Sequence, residues 1–395
     1  MKGWFLPGYG LKRWIGVIVM GSFLGGLALG HPKGGSLEFS ILSLGFLLVG
    51  LGIYKLITVI DSILRKRGTS IGELYLELEK KRGPKVTAIG GGTGLSTLLR
   101  GLRKYTGNIT AIVTVSDEGG STGRIRKDWG GIAIGDIRNC ILSLAEDDNI
   151  WASVLKYRFE RGELKGHSLG NLLLLALSEM EGDFLSGLQK FKEMLGVTAE
   201  VFPITLSDVK LRATFEDGSM VEGETEIPKT GKRITKLEVI PSKASLSPKV
   251  RDSIMKADII AIGPGSLYTS IIPNLVFSEI VEAIKTSKAL KVYICNIMTQ
   301  PGETDGFTVL DHLREIEKYI GAEVIDYVIV NTGSFSESVL KRYESEGATP
   351  VRLDIPLDCK RPIFICSDLV LERDGIVRHH PYKLAEVILG LVKEG

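Results

Sequence analysis

Two long apolar runs dominate the N-terminal part of the chain. The first covers residues 14–30, and the second covers residues 39–60 with a single charge, Lys55. Each run is close to the ~20 residues that a helix needs to cross the hydrocarbon core of a bilayer. Neither run has a polar face, so a buried helix of a water-soluble core fits them less well than a membrane span. The pattern predicts two transmembrane helices in residues 1–60, joined as a helical hairpin.

Cations flank the predicted hairpin at its two outer ends. Lys2, Lys12 and Arg13 precede the first run, and Lys33 lies between the runs. The cations at the end of the second run and after it are Lys55, Arg65, Lys66 and Arg67. Because cytoplasmic segments are enriched in Lys and Arg, both ends are expected in the cytoplasm, as in a two-pass protein of the cell membrane. A cleaved signal peptide is the alternative, but the second run with its cations favours a second span.

The glycine spacing predicts close packing of the two helices, and a charged segment follows the hairpin. On the first helix, Gly21 and Gly25, and likewise Gly26 and Gly30, stand four residues apart, which lets two helices approach closely. Residues 61–83 form a charged juxtamembrane linker. Its apolar residues at helical spacing predict a short amphipathic helix near the membrane surface, and they are Ile71, Leu74 and Leu78.

From residue 84 the pattern changes to short apolar runs that alternate with segments of helical period. The runs cover residues 86–90, 109–115, 258–263, 291–296 and 326–331. Runs without polar alternation are typical of strands buried on both faces. Residues 84–395 are therefore predicted as one α/β domain, Rossmann-like, with a mostly parallel sheet and helices on both faces. Asp217-Gly218 separates two alternating segments and predicts a small antiparallel excursion.

Charge and cysteine usage narrow the function classes. Residues 1–83 hold 11 Lys+Arg and 5 Asp+Glu, which leaves 38 and 42 for residues 84–395. The α/β part is thus net negative, which argues against nucleic acid as the main partner. The four cysteines form no C-x-x-C pair, which argues against a zinc ribbon or a disulfide framework and fits a reducing cytosol. They are Cys140, Cys295, Cys359 and Cys366.

Ligands of open α/β sheets bind at the carboxyl ends of the strands, so the residues after each predicted strand are the candidates. After residues 86–90, the turn Gly91, Gly92, Thr93 and Gly94 opens into a helix. Glycines let a phosphate approach the main chain, and the amides and dipole at a helix start favour an anion. The spacing is neither GxGxxG nor a P-loop, and a plain strand-to-helix turn is the alternative.

After residues 109–115, Asp117 and Glu118 precede a glycine-rich stretch that carries Ser121, Thr122 and Arg124. Two carboxylates followed by a flexible hydroxyl-bearing loop and an arginine can hold a divalent cation such as Mg²⁺ beside a phosphate. A solvated acidic turn is the alternative.

Two further helix starts carry polar side chains. Asp136 is a candidate N-cap, with Arg138 and Asn139 in the first turn that follows. His167, Ser168 and Asn171 mark the start of a leucine-rich helix, where His167 is either a ligand contact or a structural residue.

The loops after the later strands are also small and polar. Residues 263–269 present Gly263, Gly265, Ser266, Tyr268 and Thr269. Residues after the next strand include Asn296, Thr299, Gln300 and Thr304. This repetition favours a phosphate-rich ligand, a nucleotide or nucleotide derivative, bound across the sheet edge. No Cys–His or Ser–His–Asp set indicates a nucleophile.

These motifs carry a family resemblance that runs in order from about residue 85 to residue 393. The strings are GGGTGLSTLLRGL, SDEGGSTGR, GDIRNC, GHSLGNLLLLAL, GPGSLYTSIIPNL and NIMTQPGET. They resemble the YvcK-like gluconeogenesis factors, a family of the CofD-like superfamily that is related to 2-phospho-L-lactate transferase. The resemblance implies binding of UDP-sugars, notably UDP-N-acetylglucosamine, and a role in cell shape, peptidoglycan synthesis and carbon metabolism. The superfamily also implies the alternative, a Mg²⁺-dependent transferase that acts on a nucleotide diphosphate derivative.

The resemblance also implies roles for individual residues. It places residues 91–94 against the nucleotide and Asp117 in the polar centre, and it assigns Tyr343 and Arg378 to the UDP-sugar. Local sequence alone would make the last two a half-buried helix tyrosine and a surface arginine.

Two departures from the family pattern bear on these roles. Glu118 stands where the transferase pattern has a second aspartate, and His380 stands where the family often has Asp. If the chain is an enzyme, Asp117, Glu118 and Asp136 would hold Mg²⁺, and Arg124 would counter the charge of the transition state. The expected partners are the nucleotide sugar, the bilayer through residues 14–60, further copies of the chain and cell-wall synthesis proteins.

Overall fold

The computed structural model describes residues 11–30, 35–65, 71–355 and 361–392, and the chain divides into two units, Met1–Glu79 and Lys80–Gly395. Several residues of the sequence predictions, Lys2, Lys33, Lys66, Arg67 and Cys359, lie outside the described residues. The other three cysteines carry free thiols.

The N-terminal unit is built on two long helices. Helix α1 covers Leu11–Leu29 and helix α2 covers Ser36–Arg65. Both are long and apolar enough to span a membrane. Their outer surfaces are apolar as well, since Phe23 and Phe46 are about two-thirds exposed. Helix α2 extends beyond the predicted apolar run at both ends, because the polar residues that flank the run also satisfy a helical backbone.

Glycines let α1 and α2 pack backbone to backbone. A Cβ atom added to Gly21 would lie 2.7 Å from the carbonyl oxygen of Gly45, and one added to Gly45 would lie 2.9 Å from the amide nitrogen of Gly25. The predicted role of Gly21 and Gly25 is therefore confirmed. The same expectation for Gly26 and Gly30 is wrong, because a Cβ atom added to either of them would have no atom of α2 within 4 Å.

A third helix, α3, covers Ile71–Arg82. Residues 71–78 are helical, in agreement with the prediction for this segment. Leu76 and Leu78 are both more than half exposed. Because these two leucines are two residues apart, they point about 200° from each other around the helix and do not form one apolar side.

The second unit contains a seven-stranded parallel sheet with the strand order β10-β9-β8-β7-β1-β2-β3. Its strands are β1 (Val86–Gly90), β2 (Ile109–Val113), β3 (Glu200–Pro203), β7 (Ile259–Ile262), β8 (Leu290–Ile294), β9 (Tyr327–Asn331) and β10 (Ile363–Ser367). The chain builds outward from β1 through β2 to β3, then returns to the other side of β1 with β7. The strand order therefore reverses between β1 and β7, and such a reversal opens a crevice at the carboxyl ends of the strands.

Two antiparallel pieces accompany the parallel sheet. A three-stranded sheet contains β4 (Lys210–Phe215), β5 (Met220–Glu222) and β6 (Ile234–Ile240), and its first turn is Asp217-Gly218, as predicted. A hairpin of β11 (Val370–Arg373) and β12 (Ile376–His379) follows β10. Its turn is Asp374-Gly375, and both residues have positive φ, which Asp and Gly tolerate better than most residues.

The parallel strands are buried because helices cover the sheet. All five residues of β1 and all four of β7 are buried. The helices of this unit are α4 (Gly92–Leu102), α5 (Gly120–Trp129), α6 (Gly135–Leu144), α7 (Ile150–Leu155), α8 (Leu169–Glu181), α9 (Phe184–Met194), α10 (Val250–Met255), α11 (Ile272–Leu275), α12 (Ser278–Thr286), α13 (Val309–Ile320), α14 (Glu337–Ser345) and α15 (Pro381–Gly390). This is the predicted Rossmann-like α/β architecture.

Candidate functional site

A cavity of the α/β unit lies at the crevice predicted by the strand order. We call it the main cavity; its volume is about 520 Å³. It is bounded by the residues that follow β1, β7 and β8, together with α14 and β12. The predicted site residues in its wall are Gly91, Gly92, Thr93, Gly94, Asp117, Asp136, Gly265, Ser266, Thr269, Asn296, Thr299, Gln300, Tyr343 and Arg378.

Glycines bring the start of α4 against the loop after β7. A Cβ atom on Gly94 would lie 2.4 Å from the carbonyl oxygen of Pro264, and one on Gly91 would lie 2.5 Å from the methyl group of Thr114. Gly92 has φ +62°, in the left-handed region. A side chain on Gly94 would therefore push α4 away from the loop after β7, and one on Gly91 would collide with Thr114 after β2. The close approach exposes the first turn of α4 to the cavity.

The sequence predicts Asp136 as the N-cap of its own helix, and this prediction is wrong. Helix α6 begins at Gly135, and Asp136 lies inside its first turn. Its carboxylate instead accepts a hydrogen bond of 2.6 Å from the amide of Gly92. It thus caps α4 from outside, where a negative group is favoured by the helix dipole. The amides of Thr93 and Gly94 lack intrahelical partners and remain for another anion.

Three carboxylates of the main cavity lie near one another, and two of them have raised pKa values. Burial, reinforced by the nearby Asp117 carboxylate, raises the pKa of Asp136 to about 6. The same two causes raise the pKa of Glu224 to about 7. Asp117 itself accepts a hydrogen bond of 2.8 Å from the amide of Gly119. Asp136 and Glu224 therefore take up a proton near pH 6 and pH 7 respectively, and burial and the neighbouring carboxylate both disfavour their charged forms.

Glu118 points away from the main cavity. Its carboxylate accepts a hydrogen bond of 3.1 Å from the amide of Glu224, and the carboxylate of Glu224 accepts one of the same length from the amide of Glu118. This reciprocal pair ties the loop after β2 to the small antiparallel sheet. The predicted metal pair of Asp117 and Glu118 therefore does not converge.

The described residues contain no group of three or more His, Cys, Asp or Glu side chains arranged around one metal position. Asp117 and Asp136 each give one oxygen to a backbone amide and interact electrostatically with each other. Magnesium ions in nucleotide sites commonly take one or two carboxylates and complete their shell with phosphates and water. These two carboxylates, and not Glu118, are the residues that could share an ion with a bound phosphate.

The cationic side of the main cavity is Arg378, which lies on β12 and is exposed. It forms no salt bridge with any described residue. Tyr343 of α14 also lines the cavity, and its hydroxyl accepts a hydrogen bond of 3.0 Å from the amide of Val377. Tyr343 therefore holds the β12 hairpin against α14 while its side chain forms part of the wall. Arg378 is left free for an anion.

His379 was not among the predicted site residues, yet it lines the main cavity. It is buried, its Nε2 atom has no partner among the described residues, and burial lowers its pKa to about 4. It is therefore neutral at pH 7. The neighbouring His380, which the sequence analysis had noted, instead caps α15 by accepting a hydrogen bond of 3.3 Å from the amide of Lys383.

A second group of predicted residues forms a separate cluster that is closed to the cavity. Residues 120–129 are helix α5 and not a flexible loop, and Ser121 lies in its buried first turn. The Oγ of Ser121 lies 3.1 Å from Nδ1 of His167 and accepts a hydrogen bond of 3.1 Å from the Asn171 amide group. We call Ser121, Arg138, His167, Ser168 and Asn171 the sealed cluster.

Arg138 completes the sealed cluster from α6. Its guanidinium donates a hydrogen bond of 2.7 Å to the Oγ of Ser168, which caps α8 by accepting from the amide of Asn171. Burial lowers the pKa of Arg138 to about 10, and burial together with Arg124 lowers the pKa of His167. The expected ligand contacts of Ser121, His167 and Asn171 are thus replaced by contacts among themselves.

The remaining predicted residues lie elsewhere. Thr122 is buried against Gly135, where a Cβ atom would lie 2.3 Å from its Oγ1. Arg124 donates a hydrogen bond of 2.7 Å to the carbonyl of Lys165 on the outer surface. Tyr268 is buried with its ring centroid 6.5 Å from that of Phe307. Asn139 lines a second cavity. None of these four side chains lines the main cavity.

The chain is similar to one protein family and to several proteins that share one name. A family model described as 2-phospho-L-lactate transferase CofD matches residues 86–366. A Bacillus subtilis protein named "Gluconeogenesis factor" is 42% identical, with coverage of 79% of this chain and 99% of the relative. A Nostoc sp. protein named "Putative gluconeogenesis factor" is 42% identical, with coverage of 98% of this chain and 91% of the relative.

A solved structure supports the same grouping. The crystal structure of a UPF0052-family protein from Bacillus halodurans is 44% identical to this chain and has a TM-score of 0.75. The match covers 78% of this chain and 99% of that protein. That relative therefore folds without a counterpart of the remaining part of this chain.

Proposed function

This chain belongs to the CofD family and, within it, to the gluconeogenesis factors, and from that premise we propose that it is a membrane-anchored regulator that binds a nucleotide sugar. The proposed ligand is UDP-N-acetylglucosamine or a close analogue. The proposed roles are in cell shape and in peptidoglycan and carbon metabolism.

The observation that carries the proposal is the pairing of a helix start with a free arginine in one cavity. The first turn of α4 offers the amides of Thr93 and Gly94, and Arg378 faces the same space without an ion pair among the described residues. Backbone amides at a helix start and a guanidinium are both suited to bind a diphosphate. The main cavity combines both groups with the strand-order reversal of the sheet.

The apolar part of the main cavity supports a base as the second half of the ligand. Ile297, Met298 and Val377 line it and belong to a small hydrophobic cluster that Tyr343 joins. A flat aromatic base is stabilised by such a wall, and Asn296 and Gln300 supply amide groups beside it.

The membrane part of the proposal depends on α1 and α2. Their length and composition suit membrane spans, and their exposed apolar side chains suit lipid. We place both ends of the hairpin and the α/β unit in the cytoplasm because cations predominate outside the spans. Cysteine accessibility would test this: a label that cannot cross the membrane should modify Gly35→Cys from outside the cell and leave the natural Cys366 unmodified.

A transferase is the second candidate function, and the family description together with the raised pKa of Asp136 favours it. Raised carboxylate pKa values often mark catalytic acids and bases. Against it, Glu118 is bound to the Glu224 backbone, and Arg124 lies outside the main cavity. The arrangement therefore supports binding more directly than group transfer.

One experiment separates the two functions. The full chain in detergent is titrated with UDP-N-acetylglucosamine by calorimetry, and the mixture is then incubated with Mg²⁺ and analysed for UMP and UDP. The regulator requires saturable binding with the ligand recovered intact. Release of UMP or UDP in proportion to protein and time would establish a transferase or hydrolase instead, and absence of saturable binding would contradict the proposed regulator of this ligand.

A further inference from the structure

A second cavity of about 510 Å³ lies beside the main cavity on the other side of the start of α4. It is lined by α4, α6, the connection after α6, and α7. Three residues, Thr93, Thr97 and Arg378, line both cavities. The start of α4 and the free arginine therefore form a common wall, and one elongated ligand can contact both spaces from it.

The two cavities differ in the chemistry of their walls. The main cavity has the apolar side chains Ile297, Met298 and Val377. The second cavity is lined largely by hydroxyl, amide and charged groups, with Leu142 and two alanines as its apolar contribution. Carboxylates and amides line the main cavity as well, but its apolar side chains form one hydrophobic cluster that gives a base a surface to pack on. The hydroxyl and amide groups of the second cavity can hydrogen-bond a polyhydroxylated group.

Three hydroxyl groups of the second cavity already donate a hydrogen bond and can therefore act as acceptors for a ligand. Ser96, Thr97 and Ser143 each donate their proton to a carbonyl of their own helix, over 3.1, 2.8 and 2.7 Å respectively. Their oxygen atoms are left as acceptors. Asn139 is half-buried among them, and its side-chain amide has no hydrogen-bond partner among the described residues. Acceptors next to a free amide match the hydroxyl and N-acyl groups of an amino sugar.

Paired charges close the far end of the second cavity. Arg100 lies 3.1 Å from Asp147, and Arg103 lies 2.7 Å from the same carboxylate. These pairs neutralise one another at that end. Lys156 and Arg378 are the cations of this cavity that form no salt bridge with a described residue. Of these two cations, Arg378 belongs to the common wall, where a diphosphate would bridge the two spaces.

We infer that the second cavity is the sugar compartment of the ligand, with the diphosphate at the common wall and the nucleoside in the main cavity. This inference rests on the proposed function, because it assumes that a nucleotide sugar is bound at all. It assigns Asn139 and Ser143 to recognition of the sugar and not of the nucleotide.

The test compares two probes, UDP and UDP-N-acetylglucosamine, by calorimetry on the full chain in detergent. The parent should bind UDP-N-acetylglucosamine more tightly than UDP. Asn139→Ala should weaken binding of UDP-N-acetylglucosamine about tenfold, the effect of losing one or two hydrogen bonds, and should leave UDP binding within about twofold. Ser143→Leu fills the cavity and should act in the same direction. Ser178→Ala is the matched control, because Ser178 makes the same hydroxyl-to-carbonyl bond on α8 outside both cavities.

The outcomes are distinct for the two proposals. If Asn139→Ala and Ser143→Leu leave UDP-N-acetylglucosamine binding unchanged, or weaken UDP binding equally, the sugar compartment is wrong while the nucleotide-sugar function stands. If the parent binds neither probe, the proposed function fails, and the inference fails with it.

Discussion

The main cavity and the sealed cluster are both built on polar residues at helix starts, but the first is open to a ligand and the second is buried. Both are built where polar residues begin an otherwise apolar helix. At the start of α4, the amides of Thr93 and Gly94 have no intrahelical partner, and Arg378 lines the same cavity without a salt bridge to a described residue. At the starts of α5 and α8, Ser121 and Asn171 bond to each other, and neither lines a described cavity.

The difference shows what makes a polar helix start available to a ligand. The side chains of the sealed cluster bond mainly to one another, although Nε of Arg138 and Oδ1 of Asn171 have no partner among the described residues. Polar groups that are already bonded stabilise the fold and offer little to a ligand. Groups that are left unpaired, or that are held near like charges, reduce stability and keep capacity for binding. The distinction is in the partners of each group and not in the residue types. Four substitutions or conditions test it, and they are ordered here by the size of the expected effect.

The largest effect is expected from Ser121→Ala in the sealed cluster. Removing the Oγ of Ser121 leaves His167 and Asn171 with buried polar atoms that have lost a partner. Each buried group left unpaired costs roughly 1–3 kcal/mol, so the free energy of unfolding should fall by about 3 kcal/mol. Urea unfolding of residues 80–395 measures this, with ligand affinity of the folded protein unchanged.

The matched control for that substitution is Ser266→Ala in the main cavity. Ser266 also accepts a hydrogen bond, of 2.6 Å from the Gln300 amide, but its surroundings are open. The free energy of unfolding of the Ser266→Ala variant should stay within about 1 kcal/mol of the parent value, because solvent can replace the lost partner. Equal losses for the two serines would erase the proposed difference between the regions.

The second effect is on binding, from Arg378→Met. The variant keeps the aliphatic stem and removes the charge at the common wall of the two cavities. Affinity for UDP-N-acetylglucosamine should fall about 100-fold, since a guanidinium–diphosphate contact combines charge with paired hydrogen bonds. Thermal unfolding without ligand should be unchanged because Arg378 is exposed. Arg124→Met serves as the control, since Arg124 lies outside both cavities, and a similar loss there would indicate a general charge effect.

The sequence predicted the sheet well because its strands are short apolar runs, which are the strongest local signal. It missed β3 and β10, whose residues are partly exposed and less regular, and it missed the β11–β12 hairpin. The last had a usable signal, since Asp374-Gly375 repeats the dipeptide that identified the first hairpin at Asp217-Gly218.

The candidate site was predicted only in part, for a physical reason. Residues 91–94 and 265–266 follow adjacent strands, so strand order alone brings them together. Which side of a helix start faces the cavity depends on how the helix packs on the sheet, and the local sequence does not determine this packing. For that reason the prediction that Ser121 and His167 contact the ligand is wrong. Glu224 reaches the cavity from the separate antiparallel sheet, and no local signal marks it.

The third effect is a gain of stability, from Asp136→Asn. The carboxylate of Asp136 is buried, and its pKa is raised from 3.8 to about 6. Between these values the unfolded chain loses its proton while the folded chain keeps it, so this group lowers stability as the pH rises through that window. An asparagine oxygen can still accept from the Gly92 amide without the charge. The variant should be more stable than the parent by about 2 kcal/mol at pH 7.5.

The pH profile identifies the cause of that gain. Urea unfolding of both proteins from pH 4 to pH 7.5 should show the difference shrinking toward zero at pH 4, where the carboxylate of the parent is protonated in both states. A constant difference across the range would assign the gain to something other than ionisation. No such gain is expected for the sealed cluster, where every substitution should cost stability.

The smallest effect is the pH dependence of binding in the main cavity without Mg²⁺. Asp136 and Glu224 have pKa values of about 6 and about 7, so lowering the pH from 8 to 6 adds protons to carboxylates that face the proposed diphosphate. UDP-N-acetylglucosamine suits the measurement because its doubly esterified diphosphate keeps its charge in this range. Removing like charge should strengthen binding about fivefold. Asp136→Asn should flatten part of the profile, since one of the titrating groups is gone. Weaker binding at pH 6 than at pH 8 would mean that the diphosphate does not lie beside these carboxylates. The electrostatic difference between the main cavity and the sealed cluster would then not be supported.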